Sequence, residues 1–146
     1  MSHANVNGLS MYYEEHSFGA PLVLLHGGFG AGELFAPIVP ALAAGRRVVT
    51  VDLQGHGHTA DVDRPLRPEL MADDVAELIA HLGLEHADVM GYSLGALVAL
   101  CTAIQHPGRV RRLITVSVPF RRDGSHPEAV AAMYPVSYTH LTLPTN

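Results

Sequence analysis

A serine flanked by glycines at two-residue spacing is the clearest chemical signal in the sequence. Residues 91–95, GYSLG, lie between a short apolar run and a longer one, which is the pattern of a buried strand turning directly into a buried helix. Such a turn raises the serine hydroxyl above the sheet and leaves no room for side chains two positions away. The amide of Leu94, at the start of the helix, would face an oxyanion formed there. The pattern predicts that Ser93 is a nucleophile toward a carbonyl carbon.

A glycine-rich loop after an earlier apolar run supplies the second candidate group. Residues 26–30 read HGGFG, and at the same sheet edge this loop would add a second backbone N–H to the one at Leu94. We expect Gly28 to carry that donor, with Phe29 as the second choice. We interpret His26 as a residue that orders the loop by hydrogen bonding rather than as a base, and we place it with Tyr92 at the substrate pocket.

The elements that must position these groups alternate between strands and helices. Buried strands are predicted at residues 21–25, 47–53, 88–91 and 110–118, and helices at residues 33–44, 69–82 and 94–105. Ahead of them, Asn7-Gly8 predicts a hairpin turn that leads into an antiparallel edge strand. Strands separated by helices pair in parallel and carry helices on both faces. The predicted fold class is therefore α/β, a three-layer sandwich with a mostly parallel sheet.

The helices differ in their polar patterning. In the segment 69–82, apolar residues share one face, Asp73, Asp74, Glu77 and His81 take the other, and Gly83 ends the helix. The segment 94–105 is apolar on nearly all sides, which predicts that it is largely buried. The arginines that flank the last predicted strand, at positions 109, 111, 112, 121 and 122, are expected to be solvated.

Composition excludes several classes of partner. The chain has 146 residues, 48% hydrophobic and 16% charged, with a formal charge of −5, which is the wrong sign for binding a phosphate backbone. The longest nearly apolar run is too short to cross a bilayer, and the N-terminus lacks the order of a secretion signal. A single cysteine, Cys101, forms no internal disulfide. We expect a cytoplasmic protein without nucleic-acid or membrane partners and leave its oligomeric state open.

The order of these motifs resembles the N-terminal half of an α/β-hydrolase-fold enzyme over about residues 6–120. The resemblance implies that Ser93 is the nucleophile, that the amides of Leu94 and Gly28 bind the oxyanion, and that residues 52–57, DLQGHG, form a structural turn. It is similar to single-domain esterases, lactonases and carbon–carbon bond hydrolases, and does not distinguish among them. It implies a small-molecule substrate and no cofactor.

The sequence departs from this family in the rest of its triad. The family places an acid and then a histidine at the ends of later strands, which this chain lacks. Downstream of Ser93, none of the histidines His106, His126 and His140 is predicted to lie at a strand end above the sheet. A dyad of Asp123 and His126 is disfavoured because a three-residue loop would have to fold back over the serine. We therefore expect an incomplete α/β-hydrolase fold that is nearly inactive alone.

The last eleven residues differ in kind from the rest. Residues 136–146, VSYTHLTLPTN, alternate with a rough period of two, which would suit a strand, but they also resemble the translation of a transposon-type sequencing-library adaptor. We interpret them as a non-native tail. The predicted division is residues 1–135, the N-terminal part of a single hydrolase domain, and residues 136–146, the tail.

Two other functions stay open at this point. His56 and His58, followed by Asp61 and Asp63, are residue types that bind zinc, so a metal-dependent hydrolase is one alternative. Histidines two apart converge only on extended backbone, and the neighbouring glycines favour a turn instead, so we assign no metal ligands. The other alternative is a non-catalytic binding module on the same fold.

Overall fold

The computed structural model of the protein describes residues 2–118 and residue 128. Its strands are β1 (Ser2–Val6), β2 (Leu9–His16), β3 (Ala20–Leu25), β4 (Arg46–Val51), β5 (Ala87–Tyr92) and β6 (Val110–Val116). Its helices are α1 (Val39–Ala43), α2 (Pro68–His81) and α3 (Leu94–Gln105), with 3₁₀ turns at Gly32–Phe35 and Pro107–Arg109. The predictions about Asp123, His126 and residues 136–146 fall outside the described residues.

The six strands form one mixed sheet in the order β1-β2-β4-β3-β5-β6. β4, β3, β5 and β6 are parallel neighbours, whereas β1 and β2 pair antiparallel at one edge. Asn7 and Gly8 both have positive φ, 48° and 82°, which is the conformation of a two-residue hairpin turn whose twist matches that of its strands. The predicted hairpin is therefore confirmed.

Helices cover both faces of the sheet because successive β3 side chains are all apolar. Val23 and Leu25 pack into a core with α2 and α3, while Leu22 and Leu24 pack on the other face with α1 and the first 3₁₀ turn. The predicted α/β class with three layers is confirmed. Within residues 2–118, no helix is long and apolar enough to cross a membrane.

Three predicted elements differ from expectation. The helix expected over residues 33–44 is divided into the 3₁₀ turn and the short helix α1, because Pro37 and Pro40 lack the N–H groups that a continuous helix needs. β6 was expected to be buried, but Ile114 is 46% exposed, since β6 has a neighbour on one side only among the described strands. α3 is likewise exposed at its end, at Ile104.

A buried carboxylate joins the amino ends of three strands. Asp88 on β5 is 2% exposed and accepts two hydrogen bonds from the guanidinium of Arg111 on β6, at 2.8 and 2.9 Å, and one from Arg46 on β4, at 2.8 Å. Arg111 is thus paired rather than simply solvated as expected. The Arg111 hydrogen bonds, with help from Arg46, outweigh the opposing effect of burial and lower the pKa of Asp88 to about 2.

We predict that this ion-pair cluster makes the stability of the fold depend on acid pH. A folded-state pKa below the unfolded one stabilises the protein at neutral pH, and this stabilisation is lost as pH falls from about 4 to about 2. Asp88→Asn should lower the free energy of unfolding at pH 7 by about 2 kcal/mol, and the difference from the native chain should shrink toward pH 2. Denaturant unfolding at several pH values measures this.

The control is Asp63→Asn, at an exposed carboxylate. It should change the unfolding free energy by less than about 0.5 kcal/mol at every pH. An Asp88→Asn difference that stays constant down to pH 2 would contradict the assignment.

Candidate active site

Ser93 occupies a strained turn between β5 and α3. Its φ of 52° and ψ of −113° lie in a region that residues with side chains rarely adopt. On either side, a Cβ at Gly91 would collide with the carbonyl oxygen of Gly95, and a Cβ at Gly95 would collide with the carbonyl oxygen of Leu25. The turn has the cramped geometry that the glycine spacing predicts.

Hydrogen bonds on both sides hold Ser93 in this conformation. Its N–H donates to the carbonyl oxygen of Val116 at the end of β6, at 2.9 Å. Its own carbonyl oxygen accepts the N–H groups of Ala96 and Leu97, at 3.0 and 3.1 Å, which begins the hydrogen bonding of α3. A strained residue persists when its surroundings fix it in this way. The side chain is thereby held at the N-terminal end of a twelve-residue helix.

The HGGFG loop packs directly against this turn. A Cβ placed on Gly27 would lie 3.3 Å from the Cβ of Ser93, and one on Gly28 would lie 4.0 Å from the Cβ of Leu94. The loop turns sharply at Phe29, whose φ is 63°, and the N–H of Gly30 donates to the carbonyl oxygen of Gly27 at 3.1 Å. The structure therefore brings the predicted oxyanion donors, Gly28 and Leu94, to the same place as the serine.

His26 fixes the loop from below. Its ring is fully buried, Nδ1 lies 2.7 Å from the carbonyl oxygen of Gly27, and Nε2 lies 3.0 Å from the backbone N of Leu53. A carbonyl only accepts and an N–H only donates, so Nδ1 carries the proton and Nε2 accepts. Burial is the main cause that lowers the pKa of His26, so the neutral ring is favoured. Both nitrogens are occupied, as suits an ordering residue and not a base.

His26 and Tyr92 were predicted to lie at the substrate pocket. Neither is among the described residues that line the cavity above Ser93. The two hydrogen bonds of His26 keep its ring beneath the loop, and the Tyr92 ring packs against Gly27, within 3.0 Å of where a Cβ on that glycine would be. Both residues contact the HGGFG loop from outside the cavity.

Asp52 connects the segment just after the HGGFG loop to the turn that follows β4. One carboxylate oxygen accepts the N–H of Gly32 at 2.7 Å, and the other accepts the N–H of His58 at 2.8 Å. A Cβ on Gly57, whose φ is 53°, would collide with this carboxylate. Burial opposes ionisation of Asp52, but these hydrogen bonds, with one from the His58 ring, bring its pKa below the ordinary value. The residues implied to form a structural turn do so around a charged group.

A second buried polar network escaped the sequence analysis. The Gln54 side chain is fully buried, donates to Asp61 at 2.7 Å and accepts the Nε–H of Arg64 at 2.7 Å. Arg64 also pairs with Asp74 of α2, which accepts a further hydrogen bond from Asn7 at 3.1 Å. Asp74 was predicted on the solvent face of the helix, but it is fully buried because Arg64 and Asn7 compensate its charge. The sequence indicates this network only by containing polar and charged residues of suitable types, because no regular spacing relates the partners.

A cavity of about 790 Å³ opens above Ser93. Its described walls come from the oxyanion loop, the turn after β4, the start of α3 and the segments around them. The lining residues are Gly28, Phe29, Gly30, Gly55, His56, Gly57, Leu66, Met71, Ser93, Leu94, Leu97 and Val118. A space of this size accommodates a small organic molecule, and the walls are mostly apolar.

The donor set proposed for a metal does not converge. The Nδ1 atoms of His56 and His58 face the carbonyl oxygen of Gln54 and the carboxylate of Asp52, at 2.8 and 3.1 Å, and Asp61 accepts from Gln54. Within residues 2–118, no three His, Cys, Asp or Glu side chains lie close enough to hold a metal ion. The geometry of these residues does not favour the metal-dependent alternative.

Comparison with known sequences points in one direction. A family model described as alpha/beta hydrolase fold matches residues 20–142. The chain is 34% identical over 131 residues to the sn-1-specific diacylglycerol lipase ABHD11 of Xenopus laevis, covering 86% of this chain and 42% of that protein. It is 38% identical over 126 residues to the pimeloyl-[acyl-carrier protein] methyl ester esterase of Chromobacterium violaceum, covering 84% and 47%.

Solved structures give the same result. The epoxide hydrolase CorEH superimposes with a TM-score of 0.82 at 33% identity, over 94% of this chain and 50% of that one. Est816, an N-acyl homoserine lactone degrading enzyme, gives a TM-score of 0.81 at 28% identity, over 90% and 51%. The chain thus spans about half the length of the proteins that it matches.

We predict that the close approach at Gly95 tolerates no side chain. Gly95→Ala should destabilise the fold by about 3 kcal/mol, because its methyl group would overlap the backbone of β3, which cannot move aside. The shift of the denaturant unfolding midpoint measures this. Gly45→Ala is the matched control, since nothing lies within 4 Å of the Cβ position there. Equal midpoints for the two variants would refute the packing described at the turn.

Proposed function

Because the chain belongs to the α/β-hydrolase fold family, we propose that it carries the nucleophile and oxyanion donors of a serine hydrolase acting on small ester-like or other carbonyl substrates. The observation that carries this proposal is the position of Ser93. Its strained turn stands at the floor of the cavity, at the N-terminus of α3 and beside the HGGFG loop. A hydrolase is the coarser statement that the relatives support, and the serine mechanism is our proposal.

The proposed reaction begins with attack of the Ser93 hydroxyl oxygen on the carbonyl carbon, while a base takes up the hydroxyl proton. The carbonyl oxygen becomes an oxyanion, and the N–H groups of Leu94 and Gly28 would donate to it. Collapse of the tetrahedral intermediate breaks the bond to the leaving oxygen, which takes the proton from the base and departs as an alcohol. The acyl group left on Ser93 is then hydrolysed by water, which returns a proton to the serine oxygen. The dipole of α3 adds positive potential at the same point. Charge develops where fixed donors already stand, so little reorganisation accompanies it.

We propose that a part of the protein outside residues 2–118 supplies the base for this reaction. Within that range, no hydrogen bond joins a histidine to the Ser93 hydroxyl: His26 is occupied on both nitrogens, and His106 pairs with Asp73 at 2.7 Å. A serine without a base is a weak nucleophile. We therefore expect the 146-residue chain alone to react far more slowly than protein made from its complete open reading frame.

The activities of several relatives fit this chemistry. A methyl ester esterase, a diacylglycerol lipase and an N-acyl homoserine lactone degrading enzyme all act on compounds with a carbonyl carbon bonded to oxygen. The apolar walls contributed by Leu66, Met71 and Leu97 suit an aliphatic acyl chain.

We predict covalent labelling of Ser93 by a fluorophosphonate probe. Protein from the complete open reading frame should be labelled, and Ser93→Ala should not, because an activated serine oxygen displaces fluoride from the probe and becomes phosphonylated. Ester hydrolysis should fall by about 10⁴-fold or more in the variant. Peptide mass spectrometry identifies the labelled residue.

The control is Ser10→Ala, at an exposed serine of β2 outside the cavity, which should label like the native protein. Labelling that persists unchanged in Ser93→Ala would remove this serine from the mechanism. A complete reading frame that yields correctly folded but unlabelled protein would favour the non-catalytic binding module.

A further inference from the structure

His56 contributes a polar side chain to a cavity wall that is mostly apolar among the described residues. Of the lining residues within the described part of the chain, only Ser93 and His56 have polar side chains; the others are glycines or apolar residues. In binding cavities of this kind, a few fixed polar groups set the orientation and identity of the ligand. Ser93 is assigned to the chemical step, so the role of His56 is left to be explained.

The hydrogen bonding of His56 defines which nitrogen is available. Nδ1 lies 2.8 Å from the backbone carbonyl oxygen of Gln54, and since a carbonyl oxygen only accepts, Nδ1 carries the proton in the neutral ring. Nε2 is then a lone-pair acceptor. It has no hydrogen-bond partner among residues 2–118, and no buried side-chain nitrogen there lacks a partner, so Nε2 is an accessible acceptor on a residue that lines the cavity.

Backbone hydrogen bonds and one neighbouring ring hold His56 in place. The N–H of His56 donates to the carbonyl oxygen of Leu53 at 3.0 Å, and its carbonyl oxygen accepts the N–H of Thr59 at 3.0 Å. The His26 ring packs against it with centroids 5.1 Å apart. Gln54, whose carbonyl oxygen accepts from the ring, has a fully buried side chain. An acceptor that is already positioned loses little conformational entropy when it binds a ligand.

We propose that His56 is a specificity-determining residue whose Nε2 accepts a hydrogen bond from a hydroxyl group on the substrate. This inference rests on the proposed function, and it narrows the substrate class to esters or lactones with a hydroxylated aliphatic chain. The apolar walls contact the acyl chain, and Nε2 of His56 selects the hydroxyl. A substrate without the hydroxyl leaves this acceptor desolvated and unpaired, which is how a polar site rejects an analogue.

The test compares matched p-nitrophenyl esters in protein from the complete open reading frame. Hydroxyacyl esters of four to eight carbons, with the hydroxyl at each position, are paired with their unsubstituted counterparts. We expect the native protein to prefer the hydroxylated ester, in kcat/KM, by about tenfold or more at one position or a few adjacent ones. His56→Phe, which keeps a flat ring but has no acceptor, should reduce that ratio to about one. His56→Gln, which restores an acceptor, should recover part of it.

A binding measurement separates this inference from the proposed chemistry. In a Ser93→Ala background, calorimetry of the same ester pairs should show the hydroxyl preference with His56 and not with Phe at that position. If no ester is hydrolysed, the proposed function fails, but a binding preference that requires His56 still supports the recognition role.

Three results would overturn the inference. The native protein could show no hydroxyl preference at any position, His56→Phe could keep the native ratio, or His56→Phe could lose activity on both members of each pair equally while folding normally. The last result would assign His56 to the reaction of every substrate. His86→Phe, at an exposed histidine outside the cavity, is the matched control. It should leave the preference for the hydroxylated ester unchanged, both in kcat/KM and in binding.

Discussion

The candidate site depends on the close approach of one helix to two strands. At the end of β5 the chain reverses into α3 so tightly that the backbone of Gly95 lies against the carbonyl oxygens of Leu25 and His26. No side chain fits between these backbones, and the residue at the corner is forced into a left-handed conformation. The same constraint places Ser93 and Leu94, the first residue of α3, in the wall of the cavity. The exposure of the serine and the oxyanion binding that we propose thus have a common steric origin.

Buried polar groups hold the remaining parts of the site in register with that corner. His26 uses both ring nitrogens to join the oxyanion loop to the end of β4, and Asp52 uses both carboxylate oxygens to join the same two segments farther along. Each of these groups is almost fully buried and fully bonded, so any displacement of one loop leaves a donor or acceptor unpaired in the interior. The geometry of the loops is therefore fixed more strongly than their irregular backbone would indicate.

Local patterns predicted the fold class, the hairpin, the order of strands and helices along the chain, and the glycine-flanked turn, because each of these follows from neighbouring residues. The long-range interactions were not predictable in this way. Asp74 has the sequence position of a solvated helix residue, and only its tertiary contact with Arg64 explains its burial. The pairing of Asp88 with Arg111 likewise requires two strands to be adjacent. Tyr92 and His26 were predicted close to the HGGFG loop, but local sequence does not determine which side of that loop each side chain faces.

The hydrogen bond from the Ser93 amide to the carbonyl oxygen of Val116 has a consequence for the timing of synthesis. A bent, unfavourable backbone persists only while its neighbours enforce it, and one of those neighbours lies at the far end of β6. On the ribosome, Ser93 leaves the peptidyl-transferase centre before Val116 exists, by roughly one to five seconds at about 5–20 residues per second. The turn at Ser93 therefore gains this hydrogen bond only after β6 has been synthesised and has paired with β5, so formation of the turn follows synthesis of the sixth strand.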